Sequence, residues 1–262
     1  ELSWSLSFFI GVPLIGWLLA RTERWSSPFI LFALLGAVFA FMFFRIIPSD
    51  RDYQARQQAA NGRLDLRSLV RSPGLLIGLA MSLMMTTANE SVNIVFGLWL
   101  EDSFQMQLIS LGAASLFIGI GELGGAGLST WIVDRLGKQR AVRAGLLLNC
   151  LAAGALILLG GSRVGAQTGL FFFYLTFEFA LVSTIPLMSE AVPSLRATAI
   201  AATLSSFAIG RAISSALGPF LYTTWGFPVN AAATVFFNII ALALLSRLKI
   251  GQEQTVERII PA

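Results

Sequence analysis

The 262 residues include no histidine, one cysteine and two lysines, and only 12% of them are charged. Each shortage excludes something. Without histidine there is no imidazole base, no Ser/His/Asp set and no histidine metal cluster, and no cofactor is expected. The lone Cys150 lies inside an apolar run, so it can form no intrachain disulfide and no thiolate cage. Soluble domains carry about 25% charged residues, and half that supply cannot clothe a globule in water. Most soluble enzymes and nucleic-acid binders are therefore excluded, and no nucleic-acid partner is expected. The lipid bilayer is the solvent that fits.

What is abundant is apolar. Hydrophobic residues make up 56% of the chain and its mean hydropathy is +0.76. A bilayer core about 30 Å thick needs about 20 apolar residues in a helix, because unpaired backbone groups in lipid are costly. Eight stretches meet that need: Trp4–Ala20, Pro28–Ile47, Gly74–Leu100, Leu108–Val133, Ala141–Gly160, Thr168–Met188, Ala197–Tyr222 and Pro228–Leu248. The first lacks a basic leader and a small-residue cleavage site, so it does not read as a signal peptide. The predicted class is an all-α integral membrane bundle.

The net charge of +4 is unevenly placed. Arg51, Arg56, Arg63, Arg67 and Arg71 follow the second stretch, with Arg45 at its edge. Arg135, Lys138, Arg140 and Arg143 follow the fourth, Arg196 the sixth, and Arg247, Lys249 and Arg258 the eighth. The alternate connections carry only Arg21, Arg24 and Arg163, and the Glu101–Asp102 turn has no basic residue. Positive charge stays on the cytoplasmic side, so the Arg-rich connections and both chain ends are expected there, in a multi-pass protein of the plasma (inner) membrane.

The chain repeats itself. Trp25-Ser26-Ser27-Pro28 opens the second stretch after a short turn, and Trp225-Gly226-Phe227-Pro228 opens the eighth in the same way. Each follows a helix punctuated by glycine and proline: Gly11, Pro13 and Gly16 in one copy, Gly210, Gly218 and Pro219 in the other. Four stretches precede the second copy. With a six-helix unit, four more are expected before the first, as missing N-terminal helices of the same protein. The expected division is 1–47 as the last two helices of an N-terminal half, 48–73 as a cytoplasmic linker, 74–248 as a complete six-helix C-terminal half, and 249–262 as a cytoplasmic tail. Parallel six-helix repeats imply a transporter with its site between the halves. The Leu64–Arg71 part of the linker alternates leucine with arginine, a pattern suited to lying on the inner surface.

The turn Trp131-Ile132-Val133-Asp134-Arg135-Leu136-Gly137-Lys138-Gln139-Arg140 resembles the cytoplasmic motif of the major facilitator superfamily. Thr130 stands where that motif has a glycine. Glu190-Ala191-Val192-Pro193-Ser194-Leu195-Arg196 is a second resemblance, and the Gly11/Pro13/Gly16 helix resembles the glycine–proline helix of antiporter members. The resemblance covers the whole chain. It implies a major facilitator-like helix bundle of which this chain supplies the last eight of twelve helices. It also implies a cytoplasmic gate in which Asp134, Arg135, Gly137, Lys138, Arg140, Glu190 and Arg196 take part. Arg135 and Arg196 can pair there with Glu190 or Asp134, while Lys138, Arg140 and Arg143 also serve as plain topology anchors.

Four charges fall inside apolar runs: Glu90, Glu122, Glu178 and Arg211. A charge facing lipid costs on the order of 3 kcal/mol, so each should face a cavity or a partner. Thr86, Asn89, Glu90 and Asn93 recur at helical spacing and form a polar stripe, which suits either a substrate path or a helix–helix seam. Glu122 sits among glycines, where a carboxylate is poorly hydrated. Glu178 and Arg211 either face one another as a pair or act separately, as proton site and substrate contact. The expected function is secondary active transport of a small organic molecule, with protons as coupling ion and with efflux as the direction. Uptake of a sugar or metabolite, or a non-transporting sensor or scaffold, are the alternatives.

Overall fold

The computed structural model describes residues 7–46, 72–191 and 196–248. Those residues are helical, with no strand among them. A π turn, Ser7–Gly11, runs into α1 (Val12–Thr22), and a short turn leads to α2 (Ser27–Ile46). Then come α3 (Pro73–Asn93), α4 (Phe96–Phe104), α5 (Leu108–Leu136), α6 (Lys138–Leu159), α7 (Arg163–Ser189), α8 (Arg196–Trp225) and α9 (Phe227–Arg247). Seven helices, with α3 and α4 counted as one run, are long and apolar enough to cross a membrane, and α1 is a shorter apolar helix. Most of the 48–73 linker, the 249–262 tail and residues 192–195 of the second motif lie outside the described residues.

Local chemistry sets the helix ends. Ser72 caps α3 by accepting from the Leu75 amide at 3.4 Å, with Pro73 in the first turn. Ser162 caps α7 through the Gly165 amide at 3.1 Å. Gly137 (φ +87°) and Gly226 (φ +81°) make the one-residue turns before α6 and α9, in the region where a side chain is strained.

Two expected stretches differ from the structure. Gly74–Leu100 was expected to be continuous, yet the helix breaks at Ile94–Val95. The Val95 amide bonds back only three residues, to Val92, at 3.1 Å. The break follows Asn93, whose side chain bonds to Glu90 of its own helix and to Tyr174 of α7. Of the first stretch, the described part from Ser7 onward is a π turn followed by a helix that runs on to Thr22.

Two helices act as hubs. Two-thirds (67%) of the apolar window of the α3–α4 run is buried, as is that of α7, against 28–44% for α5, α6, α8 and α9. The α3 helix packs on α8 and α9, α7 packs on α5 and α6, and contact between α6 and α9 joins the two groups. Small residues allow these approaches, as they must where lipid removes the hydrophobic drive between helices. A Cβ on Gly121 would come 2.7 Å from the Phe171 carbonyl oxygen, and one on Gly145 would come 2.8 Å from the Ala180 Cβ. Gly218 lies against Ile94 and Ser91 across the α3–α8 contact.

Polar side chains complete the seams. On α9, Asn230 donates to the carbonyls of Ser91 (2.8 Å) and Gly218 (2.9 Å), and Thr234 donates to that of Ala88 (2.8 Å). Asn238 donates to Asn149 Oδ1 at 2.7 Å, and Asn149 donates to the Phe173 carbonyl at 2.8 Å. These bonds tie α9 to α3, α9 to α6, and α6 to α7. The α1 helix rests on α5, with Pro13 against Gly112 and Gly16 buried. By contrast α2 is apolar on all sides and open along its length, from Phe29 (64%) to Phe44 (88%).

Candidate functional site

The four mid-span charges each lie near the middle of a helix. Glu122 is the middle residue of α5, and Arg211 stands at the middle of α8. Glu178 lies two residues past the middle of α7, and Glu90 near the middle of the Pro73–Phe104 run. Glu122, Glu178 and Glu90 are 2%, 1% and 8% exposed.

The two hubs meet through a chain of side-chain hydrogen bonds. The Tyr174 hydroxyl of α7 donates to Asn93 Oδ1 on α3 at 2.6 Å. Asn93 Nδ2 in turn donates to both Glu90 carboxylate oxygens, each at 3.1 Å. Glu90 and Glu122 both lie within electrostatic reach of the buried Tyr174. The Arg211 charge reaches Glu90 from α8. Phe96 meets the Tyr174 ring edge-on, with centroids 6.2 Å apart. Charged and hydrogen-bonding groups of α3 and α5 thus meet at Tyr174 of α7, and the Arg211 charge of α8 reaches Glu90.

The polar stripe on α3 divides in two. Thr86 lies in the seam with α8, hydrogen-bonded to the Ser82 and Leu83 carbonyls of its own helix, and Gly210 packs directly on it. Its neighbour Thr87 donates to the Gly210 carbonyl at 3.3 Å, and Ser214 donates to that of Thr87 at 2.9 Å. Asn93 reaches α7 through Tyr174, while Glu90 lies within reach of the Arg211 charge of α8. Asn89 is 5% exposed, and its Oδ1 has no hydrogen-bond partner.

At the opposite end of the α5–α7 seam, Val133, Asp134, Gly137, Lys138, Gln139, Arg140 and Glu190 line a hollow of about 500 Å³. The ion pair in that hollow joins Lys138 to Glu190. Neither Arg135 nor Arg196 makes it. Arg135 instead lies over the Trp131 ring, 4.6 Å from its centroid, and Arg196 opens α8. The reason is positional: the Gly137 turn aims the first residue of α6 at the end of α7, whereas Arg135 is still on α5 and points to its own helix face.

Residues 1–214 match the profile of the Major Facilitator Superfamily. The chain belongs to that superfamily. Among its relatives is a protein of Bacillus subtilis (strain 168) that bears the name "Uncharacterized MFS-type transporter YceJ". It is 22% identical over 256 residues, which cover 96% of this chain and 64% of that protein. The chain therefore spans less than two thirds of that relative's length.

As a superfamily member the chain is a multi-pass membrane protein, and the turn with the resembling motif, Trp131–Arg140, is the α5–α6 connection. Sequence reading gave no role to three parts of this superfamily bundle. Tyr174, one of only three tyrosines, could have been found from its place one turn before Glu178. The stripe Asn230, Thr234 and Asn238 on α9 is legible as an i, i+4, i+8 pattern. Gln139 donates to the Leu245 and Leu248 carbonyls at 3.0 and 3.2 Å, closing the end of α9, and nothing in its sequence neighbourhood signals that. On the opposite face Tyr222 donates to Asp102 at 2.6 Å, and Trp99 stacks on Phe227 with centroids 3.6 Å apart. These contacts bind the short α4 to α8 and α9.

Proposed function

We propose that this chain forms the greater part of a secondary active transporter that moves a small organic molecule by alternating access and exports it in exchange for protons. What supports the reading is that Glu90, Glu122 and Glu178 are all buried near the middles of three helices, with the Arg211 charge of a fourth reaching Glu90. A static scaffold has no use for three buried carboxylates, each costing on the order of 3 kcal/mol against lipid. A transporter does, because carboxylates that gain and lose protons in turn couple a gradient to movement. The Lys138–Glu190 pair acts as a latch on the cytoplasmic side, formed when that side is closed. Asp134, Arg135, Arg140 and Arg196 support the same face, and the two cytoplasmic chain ends follow from the charge asymmetry. The export direction rests on the glycine–proline helix α1, whose Pro13 packs on Gly112 of α5.

The test changes each glutamate to glutamine in the complete protein and measures flux driven by a pH gradient in vesicles. At least one of the three variants is expected to lose gradient dependence while keeping counterflow. Full gradient dependence in all three would end the proton-exchange reading. Absence of counterflow in the unaltered protein would end the transporter reading.

A further inference from the structure

We infer that the open side of α6 holds an anionic diacyl phospholipid, with its phosphate on Arg140 and Arg143 and a chain along the leucines beyond them. This lipid site lies on the outside of the bundle and needs neither proton coupling nor a central substrate site.

The open side of α6 is one continuous face. Arg140, Arg143, Leu147, Leu151, Gly154 and Leu158 follow one another at spacings of three or four, which aligns them on one side of a helix. Both arginines are exposed, and the three leucines are 50%, 70% and 83% exposed. The opposite side is committed to the bundle. Asn149 donates to α7 and accepts from Asn238 of α9, and Leu156 packs against Gly169 of α7. The open side therefore offers the bilayer two cations at one end and apolar surface along the rest.

The two cations are unspent. Asp134 and Glu190 line the same hollow as Arg140, yet the ion pair there is made by Lys138. Among the described residues neither Arg140 nor Arg143 has an ion-pair partner. Side chains three apart on a helix are neighbours, so two guanidiniums can fork one phosphate. Like charges so placed repel until an anion lies between them. A lipid phosphate supplies that anion. A zwitterionic lipid brings its own cation to the same place, so a headgroup of net negative charge fits better.

The chain has a place as well. Gly154 has open space where its Cβ would be, and Leu151 and Leu158 stand one turn to either side of it on the same face. Together they form a shallow notch. It lies about 20 Å along the axis from Arg140 at 1.5 Å per residue. Half a bilayer core is about 15 Å deep, and the glycerol region adds a few ångströms, so a chain from a phosphate at the arginines ends near the notch.

The test is native mass spectrometry of the complete protein in detergent, titrated separately with palmitoyl-oleoyl phosphatidylglycerol and with phosphatidylcholine of the same chains. The unaltered protein is expected to retain its first phosphatidylglycerol about tenfold or more tightly than phosphatidylcholine, since each basic side chain near a lipid surface adds appreciably to anionic lipid binding. Arg140→Gln with Arg143→Gln is expected to abolish that preference. Arg21→Gln with Arg24→Gln, which removes the same charge at the turn between α1 and α2, is expected to keep it. Gly154→Leu is expected to weaken both lipids and leave their ratio unchanged. Equal retention of the two lipids by the unaltered protein overturns the inference, and so does a preference that survives loss of Arg140 and Arg143. Loss of the preference in the Arg21 and Arg24 variant overturns it too, because net charge alone would then be responsible. Unchanged retention of both lipids in Gly154→Leu overturns the placement of the chain. The unaltered protein alone decides the first outcome, so a variant that does not fold leaves the test intact.

Discussion

The contact between α5 and α7 gives the sharpest quantitative test of how the site is held. Gly121 flanks Glu122, and a Cβ added there would lie 2.7 Å from the Phe171 carbonyl oxygen and 3.4 Å from the Leu175 amide nitrogen. A Cβ on Gly125 would collide with the Leu175 carbonyl and come 2.9 Å from the Phe179 amide nitrogen and 3.0 Å from the Glu178 Cβ. Ordinary contact begins at 3.4 Å, and most of these obstacles are backbone, so neither can swing aside. For Gly121→Ala the 2.7 Å contact must grow to 3.4 Å, an opening of about 0.7 Å along the seam. A gap of that size forfeits about a quarter to a half of each dispersion contact it spans. The expected destabilisation is about 1–3 kcal/mol for Gly121→Ala, the range seen when a tight interface is overpacked, and the upper end of it for Gly125→Ala. Gly127, on the same helix, has nothing within 4 Å of its missing Cβ, so Gly127→Ala should be neutral or slightly stabilising, as alanine is the better helix former. The assay is thermal unfolding of the three variants in one detergent, followed by substrate flux. Stability should fall in the order Gly127→Ala, Gly121→Ala, Gly125→Ala, with flux lost in the last two. If Gly127→Ala unfolds as early as Gly125→Ala, close backbone approach is not what holds Glu122 and Glu178 in place.

Two further outcomes follow from hydrogen bonds at different depths. Tyr174→Phe removes the donor to the half-buried Asn93 Oδ1, so it should cost about 1–2 kcal/mol; Tyr222→Phe, at the open end of α8, should cost about 1 kcal/mol or less, and detergent unfolding of both compares them directly. The Lys138–Glu190 pair is partly open, at 29% and 44% exposure, so a double-mutant cycle with Lys138→Ala and Glu190→Ala should show less than about 1 kcal/mol of coupling, while the exchanged pair Lys138→Glu with Glu190→Lys should recover flux that either single charge reversal loses.

Hydropathy alone places the membrane helices within a few residues, because the bilayer leaves little choice of element: a long apolar run must be a helix. The Gly137 and Gly226 turns are equally legible, since a one-residue connection between helices calls for a residue free of Cβ strain. The break at Ile94–Val95 is not legible. It depends on where Asn93 finds its partner, and that partner, Tyr174, lies 81 residues further along. The same limit governs the site. Composition singles out Glu90, Glu122, Glu178 and Arg211 because charges in apolar runs stand out. Which residue pairs with Glu190 depends on the direction in which the Gly137 turn launches α6, so Lys138 takes the place expected of Arg135 or Arg196.

The direction of each polar bond also separates the residues that hold the bundle from those suited to change. Thr86, Thr87, Ser91, Ser214, Asn230 and Thr234 all make hydrogen bonds to backbone carbonyls, their own or those of a packed neighbour. A carbonyl in a helix has no other conformation to adopt, so these bonds are as fixed as the helices and break only when the helices part. The chain from Tyr174 through Asn93 to Glu90 links side chain to side chain. Each of its members has rotamers to exchange, and Glu90 has a protonation state as well. In lipid, where helices gain little from burying apolar surface against one another, both kinds of bond add to stability. Only the second kind can be rewritten by a ligand or a proton without unpacking the fold. Bonds of the second kind join the two hub helices through Tyr174 and Asn93, α9 to α6 through Asn238 and Asn149, and α5 to α7 through Ser129 and Ser183.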